Sequence, residues 1–294
     1  MTLFISYGMT RSGSTLAFET EKAILEKYGM PQEKIIITGL ENWIENYLPE
    51  KYLSDINSLK KINEETGTNF VVFKTHGAAN EKLLNFIRKF KIPVTISVRD
   101  PKDIAISLLE ISKKNRSINE TGFIDIISLK DAIKNIEEDL WRLETWRPLI
   151  EEGIAKVIPY EEIIEEAEIL INYLADITSK PKLLISDIRE ITKKRFTQFN
   201  VGVAGRGLKS LNQIEILRVE RNINQRLNNA IYPFLIYKKT KFSISDLVID
   251  FLIFIKRFTF LHTKKFTKLF KFIINKIFKI MKILVKSFKN MTIN

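Results

Sequence analysis

Leu3-Phe4-Ile5-Ser6-Tyr7-Gly8-Met9-Thr10-Arg11-Ser12-Gly13-Ser14-Thr15 is the stretch on which the reading of this chain turns. Leu3–Tyr7 is a short, mostly apolar run of the kind that forms a buried strand. Beyond the loop, Thr15–Tyr28 carries Leu16, Phe18, Ala23 and Ile24 at helical spacing, with Glu19 and Glu21 near the start. A strand-loop-helix junction of this composition is an anion cradle. Glycines allow close approach of the backbone, and the helix N-terminus presents N–H groups and a partial positive charge. Ser12, Ser14 and Thr15 add hydroxyl donors, and Arg11 adds a fixed cation. The loop is not a Walker A loop, because no Gly-Lys-Ser/Thr ends it. Taken alone, the same residues also describe an ordinary strand-helix turn.

The pattern repeats downstream. Phe70–Lys74 and Pro93–Val98 read as strands, Glu81–Phe90 and Pro101–Ile111 as helices, and Ile154–Ile158 as a fourth strand. Continuous apolar strands alternating with helices predict an α/β, three-layer fold with a central parallel sheet flanked by helices. Ligands in such folds sit beyond the carboxyl ends of the strands. Ser112–Thr121 reads as a polar loop, Leu129–Ile150 as a long helical stretch carrying Trp141 and Trp146, and Phe199–Leu211 as a glycine-rich loop.

Two further segments follow strand ends. Phe73-Lys74-Thr75-His76-Gly77 places an imidazole next to an ammonium, a pair suited to proton abstraction and charge stabilisation. A lone histidine is more often structural. Val98-Arg99-Asp100-Pro101-Lys102-Asp103-Ile104-Ala105-Ile106-Ser107 puts a guanidinium at a strand end and a hydroxyl two helical turns on, both able to face an anion. The plainer reading is a surface Arg–Asp pair at a helix start.

Composition narrows the chemistry. The 294 residues include no cysteine and two histidines, His76 and His262, which excludes disulfides, thiolate chemistry and a histidine-rich metal site. No apolar run reaches the ~18 residues of a spanning helix. The first residues lack the basic region of a signal peptide, so a cytoplasmic chain is expected. The net charge is +12, yet residues 241–294 hold twelve Lys/Arg against Asp246 and Asp250. The basic balance therefore belongs to the tail, and nucleic-acid binding by the rest is not expected.

Together the three motifs resemble the family of sulfotransferases that use 3′-phosphoadenosine 5′-phosphosulfate (PAPS). MTRSGSTL is similar to the family's 5′-phosphosulfate loop, FKTH to its Lys-Thr-His segment, and RDPKDIAIS to its 3′-phosphate motif. The resemblance continues through the Trp-bearing helix, Pro159-Tyr160-Glu161-Glu162-Ile163 and FNVGVAGRGLKSL, and covers roughly residues 1–235. It implies the P-loop-like sulfotransferase fold over residues 1–240, with PAPS as co-substrate and no metal. Arg11, Ser12, Gly13, Ser14 and Thr15 would hold the 5′-phosphate and sulfate. Lys74 would sit near the sulfuryl group, and His76 would be the base that deprotonates a hydroxyl or amine acceptor. Arg99 and Ser107 would grip the 3′-phosphate, Tyr160 would lie near the adenine, and Gly202, Arg206 and Gly207 would close over the nucleotide. The implied chemistry is in-line displacement, with Arg11, Lys74 and the loop N–H groups stabilising charge on the bridging oxygen. Met9 and Thr10 depart from the usual proline neighbourhood. Leu16 stands where many members stack a Trp on adenine, and Gly207 takes the place of a late-loop Trp.

Residues 241–294 alternate lysines with Phe, Ile and Leu at near-helical spacing, a C-terminal basic amphipathic helical tail. Adsorption to an anionic membrane surface and packing on the main domain both suit it. A small-molecule kinase of P-loop type and a non-catalytic, membrane-associated nucleotide-binding module are the competing readings of the whole.

Overall fold

The computed structural model describes residues 3–33, 46–65, 70–165, 167–184 and 203–227. All belong to the unit Met1–Lys239. The tail at 241–294, Gly202 and residues 40–45 lie outside the described residues.

Four strands, β1 (Leu3–Gly8), β2 (Val71–Thr75), β3 (Val94–Val98) and β4 (Ala155–Pro159), form one parallel sheet in the order β2-β1-β3-β4. Ile5 pairs with Phe73 on one side and Val94 on the other, so β1 is central. Every residue of β1 and β3 is buried, as strands covered on both faces must be. Side chains alternate between faces along a strand. Phe4 packs with Phe18, Ile24 and Leu25 of α1 (Ser14–Lys27) and with Leu170, Ile171 and Leu174 of the later helix Glu168–Thr178. Tyr7, on the opposite face, lies against Trp146 with ring centroids 5.0 Å apart. The sheet is thus the middle of three layers, as expected.

Between β1 and β2 lie α2 (Glu50–Leu53) and α3 (Ile56–Glu65), followed after β2 by α4 (Glu81–Phe90). The side chain of Asn80 caps α4 by accepting from Leu83 N–H. Asp100 caps α5 (Pro101–Ser117) by accepting from Lys102 N–H, with Pro101 in the first turn. Helix α5 runs past Ile111 into the stretch expected to be a polar loop. Three of its polar residues, Ser112, Asn115 and Arg116, bond within the protein. Arg116 Nη1 donates to Ser112 Oγ at 2.5 Å and to Ile124 O at 2.9 Å, and Asn115 Nδ2 donates to Gly122 O at 2.6 Å.

Ser128 and Asp131 form a capping box at the start of α6 (Leu129–Glu144). The expected single helix to Ile150 breaks at Thr145–Trp146, and α7 (Arg147–Glu151) begins with Pro148 in its first turn, where proline's missing N–H costs nothing. After β4 come α8 (Tyr160–Glu165), α9 (Glu168–Thr178), α10 (Arg206–Ser210) and α11 (Gln213–Leu227). The described part of the expected late glycine loop is therefore a short approach, 203–205, followed by a helical turn. Among the described residues no helix is long and apolar enough to cross a membrane.

Candidate active site

The loop between β1 and α1 is wound tightly. Ser12 directs both its N–H and its Oγ to Met9 O, at 3.1 and 2.7 Å. Ser12 Oγ also lies 3.3 Å from Ser97 Oγ on β3. Arg11 and Gly13 then adopt left-handed conformations, φ 63° and 91°. Ser12 is buried, and its hydroxyl shapes the turn instead of facing the cleft. Gly8 cannot carry a side chain, since a Cβ there would stand 2.0 Å from Ser97 Oγ and 2.7 Å from Ser14 Cβ. Gly13 is the N-cap of α1 and offers no side-chain cap. The first-turn N–H groups of α1 have no partner four residues back, and this end of the helix opens on a cleft lined by Gly13, Ser14 and Thr15.

β2 delivers Lys74 and His76 to the same cleft. Lys74 Nζ donates to Thr15 Oγ1 at 2.7 Å, which links β2 to the first turn of α1. His76 Nδ1 lies 2.5 Å from Gly8 O. A carbonyl oxygen only accepts, so Nδ1 carries the proton and Nε2 keeps its lone pair. Burial pushes the imidazole down to about 4, and the charges of Lys74 and Arg142 act in the same direction against the Gly8 bond. His76 is therefore neutral at physiological pH, as a proton acceptor must be.

β3 and α5 supply the third group. Arg99 is buried at 6% exposure, and its guanidinium lies 3.9 Å from the centroid of the Tyr160 ring. Its Nη2 donates to Val203 O at 3.1 Å and pairs with Asp103 Oδ2 at 3.3 Å, while its buried Nε has no hydrogen-bond partner. Tyr160 is wedged between Arg99 and the anion loop, because a Cβ on Gly13 would meet the Tyr160 ring at 2.4 Å. Arg11 Nε donates to Ser107 Oγ at 3.0 Å. The Arg11 guanidinium is held below its usual range by burial first and by the charge of Arg99 second. Three arginines, Arg11, Arg99 and Arg206, thus line one cavity of about 190 Å³, together with Leu16 and Phe123. That arrangement fits an anion carrying more than one charge.

The site residues separate by placement. Arg11, Gly13, Ser14, Thr15, Lys74, His76, Arg99, Ser107, Tyr160 and Arg206 line the cleft together. Ser12 and Gly207 stand behind it. Gly207 is buried against α5, where a Cβ would stand 2.5 Å from the backbone carbon of Lys102. Arg206 lines the cleft while bonded to Glu110. Gly202 lies outside the described residues.

Three contributors were missed in the sequence. Asp103 accepts from Gly205 N–H at 2.8 Å and from Gly207 N–H at 2.6 Å, which ties the late segment to α5. Asp139 accepts from Thr10 N–H at 2.7 Å. Phe123 reaches the cleft from a left-handed position, φ 61°. Asp103 stands four residues from Arg99 at a helix start, a spacing that suits a pair, but nothing local indicates its second partner. Among the described residues no cluster of His, Asp and Glu is arranged to hold a metal ion.

One end of a parallel α/β sheet thus brings together an uncapped helix N-terminus, an imidazole and three arginines, a cationic cleft whose chemistry suits an anion. The mouse sulfotransferase SULT7A1, complexed with PAP, superposes at TM-score 0.50 and 14% identity, covering 78% of this chain and 85% of that one. Retinol dehydratase in complex with androsterone and inactive cofactor PAP gives TM-score 0.48 at 14% identity, covering 80% of this chain and 83% of that one. No family model matches the sequence, and no curated protein does. The fold is the sulfotransferase fold.

Proposed function

We propose that this chain is a PAPS-dependent sulfotransferase that transfers a sulfuryl group to the hydroxyl of an acceptor, or to an amine. One observation carries the reading: Arg11, Arg99, Ser107 and the uncapped N-terminus of α1 converge on a cleft that also holds neutral His76. The mouse sulfotransferase of like fold, complexed with PAP, supports it. The donor set fits such a ligand. The buried Nε of Arg99 has no hydrogen-bond partner, and Arg11 is held below its usual range by burial and by the charge of Arg99, both of which a bound anion would offset. PAPS, when bound, supplies a sulfuryl group attached to a phosphate leaving group.

In this reading Arg99, Ser107 and Arg206 hold a 3′-phosphate, with Arg206 exchanging Glu110 for it. Residues 13–15 and Arg11 hold the 5′-phosphate end through N–H groups and the guanidinium. Lys74 neutralises charge that develops on the leaving oxygen. His76 accepts the acceptor's proton at Nε2 while Nδ1 stays fixed on Gly8 O. A bound anion raises the imidazole from its low value toward the range of an effective base. Tyr160 and Leu16 flank the base of the nucleotide. The basic tail, residues 241–294, is proposed to adsorb to anionic membrane. Liposome sedimentation of the full chain and a chain lacking the tail tests this, and equal binding would refute it.

Transfer of labelled sulfate from PAPS to a panel of phenols, glycans and lipids tests the activity. Retention on immobilised adenosine 3′,5′-bisphosphate but not on ATP separates it from a small-molecule kinase. Retention on ATP alone, with no sulfate transfer, would overturn the proposal.

A further inference from the structure

Asp139 lies on α6 at 2% exposure, beside an anion loop whose ligand its charge opposes. A buried carboxylate is costly unless firmly held, so its place there needs a geometric reason. Its Oδ2 accepts from Thr10 N–H at 2.7 Å, and its Oδ1 takes Arg142 Nη1 at 2.8 Å. Arg142 in turn approaches Glu50 on α2 at 3.8 Å. Thr10 directly precedes Arg11, whose left-handed φ of 63° is disfavoured for a residue with a side chain. The Thr10 bond thus anchors the peptide immediately before this residue, whose Nε donates to Ser107 Oγ at 3.0 Å. The same end of the helix holds the histidine segment. Thr145 Oγ1 accepts from Ala79 N–H at 2.7 Å, and Trp146 Nε1 donates to Gly77 O at 3.0 Å.

We infer that Asp139 is a positioning residue: through Thr10 N–H it sets the anion loop, and with Thr145 and Trp146 it fixes Arg11 relative to His76. The inference rests on the sulfotransferase reading, in which this loop takes a 5′-phosphate. Removing Asp139 then harms recognition of the 5′ end and spares the 3′ end.

The test is calorimetric titration of the full chain with adenosine 3′,5′-bisphosphate and with adenosine 3′-monophosphate. Asp139→Ala should weaken the bisphosphate by about tenfold, the scale of one lost charged hydrogen bond, and leave the monophosphate unchanged. Asp139→Asn keeps an acceptor for Thr10 N–H and should restore most of the ratio. A general structural role would lower both affinities together, and that outcome, or an unchanged ratio, overturns the inference. If Asp139→Ala does not fold, Asp139→Glu, which displaces the carboxylate by one methylene, should show the same selective loss, and an unchanged ratio again overturns it. If the wild-type chain binds neither nucleotide, the sulfotransferase reading fails, and amide exchange judges Asp139 alone. Thr10 N–H should then exchange at least about tenfold faster in the variant with Ile24 N–H in α1 unchanged, and equal Thr10 exchange overturns the clamp.

Discussion

His76 shows how one hydrogen bond fixes the tautomer of an imidazole. With Nδ1 committed to Gly8 O, Nε2 keeps the lone pair that the proposed base would use. His76→Ala should lower kcat by about 10²–10⁴-fold, the usual worth of a general base, with the dissociation constant of adenosine 3′,5′-bisphosphate nearly unchanged. Single-turnover rates and calorimetry together check this. Arg99 is the matching test on the other side of the cleft. Lysine keeps the charge but loses the planar fork and the stack on Tyr160, so Arg99→Lys should weaken the bisphosphate by about tenfold or more. Glu21 lies apart from the site, fully buried, accepting from Thr95 Oγ1 at 2.5 Å, and burial raises its carboxyl to about 7. The folded state therefore binds this proton more tightly than the unfolded chain does. Its contribution to stability is complete below the ordinary carboxyl value and is lost as pH rises through about 7. His76 runs oppositely: its contribution is present above the ordinary imidazole value and lost as pH falls through about 4. Denaturant titrations between pH 5 and 8 should show Glu21→Gln relatively more stable at the alkaline end, by an amount on the order of 3 kcal/mol.

At the scale of elements, close backbone approach decides what is tolerated. α10 rests on α5 at Gly207, where a methyl would meet the Lys102 backbone at 2.5 Å. Gly207→Ala should destabilise the fold by about 1–3 kcal/mol as the segment is pushed from Asp103, read from the midpoint of chemical denaturation. α5 is also where polarity misleads. Asn115 and Arg116 look solvated in the chain, but they donate to the turn that carries Phe123 into the cleft, and Ser112 accepts from Arg116. Propensity and spacing located the starts of α4, α5 and α6, because caps are local. They did not locate the end of α5, because its polar partners lie up to ten residues on.

For the whole molecule, the proposed nucleotide would bridge two anion subsites and tie the C-terminal ends of β1, β2 and β3 together. Adenosine 3′,5′-bisphosphate at about 100-fold excess over its dissociation constant should stabilise the folded chain by about 2.7 kcal/mol, visible as a raised Tm, and ATP at equal concentration should not. The motifs after β1, β2 and β3 were legible because each is contiguous and each follows a strand that reads as apolar. Asp139 and Asp103 were not, because their partners lie 129 and 102 residues away.

From the chain alone came the four parallel strands, the glycine-bearing loop after the first of them, and most of the residues that line the cleft, since all of these are written in short contiguous segments. The order β2-β1-β3-β4 was decided only in three dimensions. So were the tautomer of His76, the crowding of Arg11 by Arg99, the inward turn of Ser12, and the hold of α6 on both loops. Each depends on which distant backbone group comes within hydrogen-bond reach, and that is a property of how helices pack on the sheet, which no local periodicity encodes.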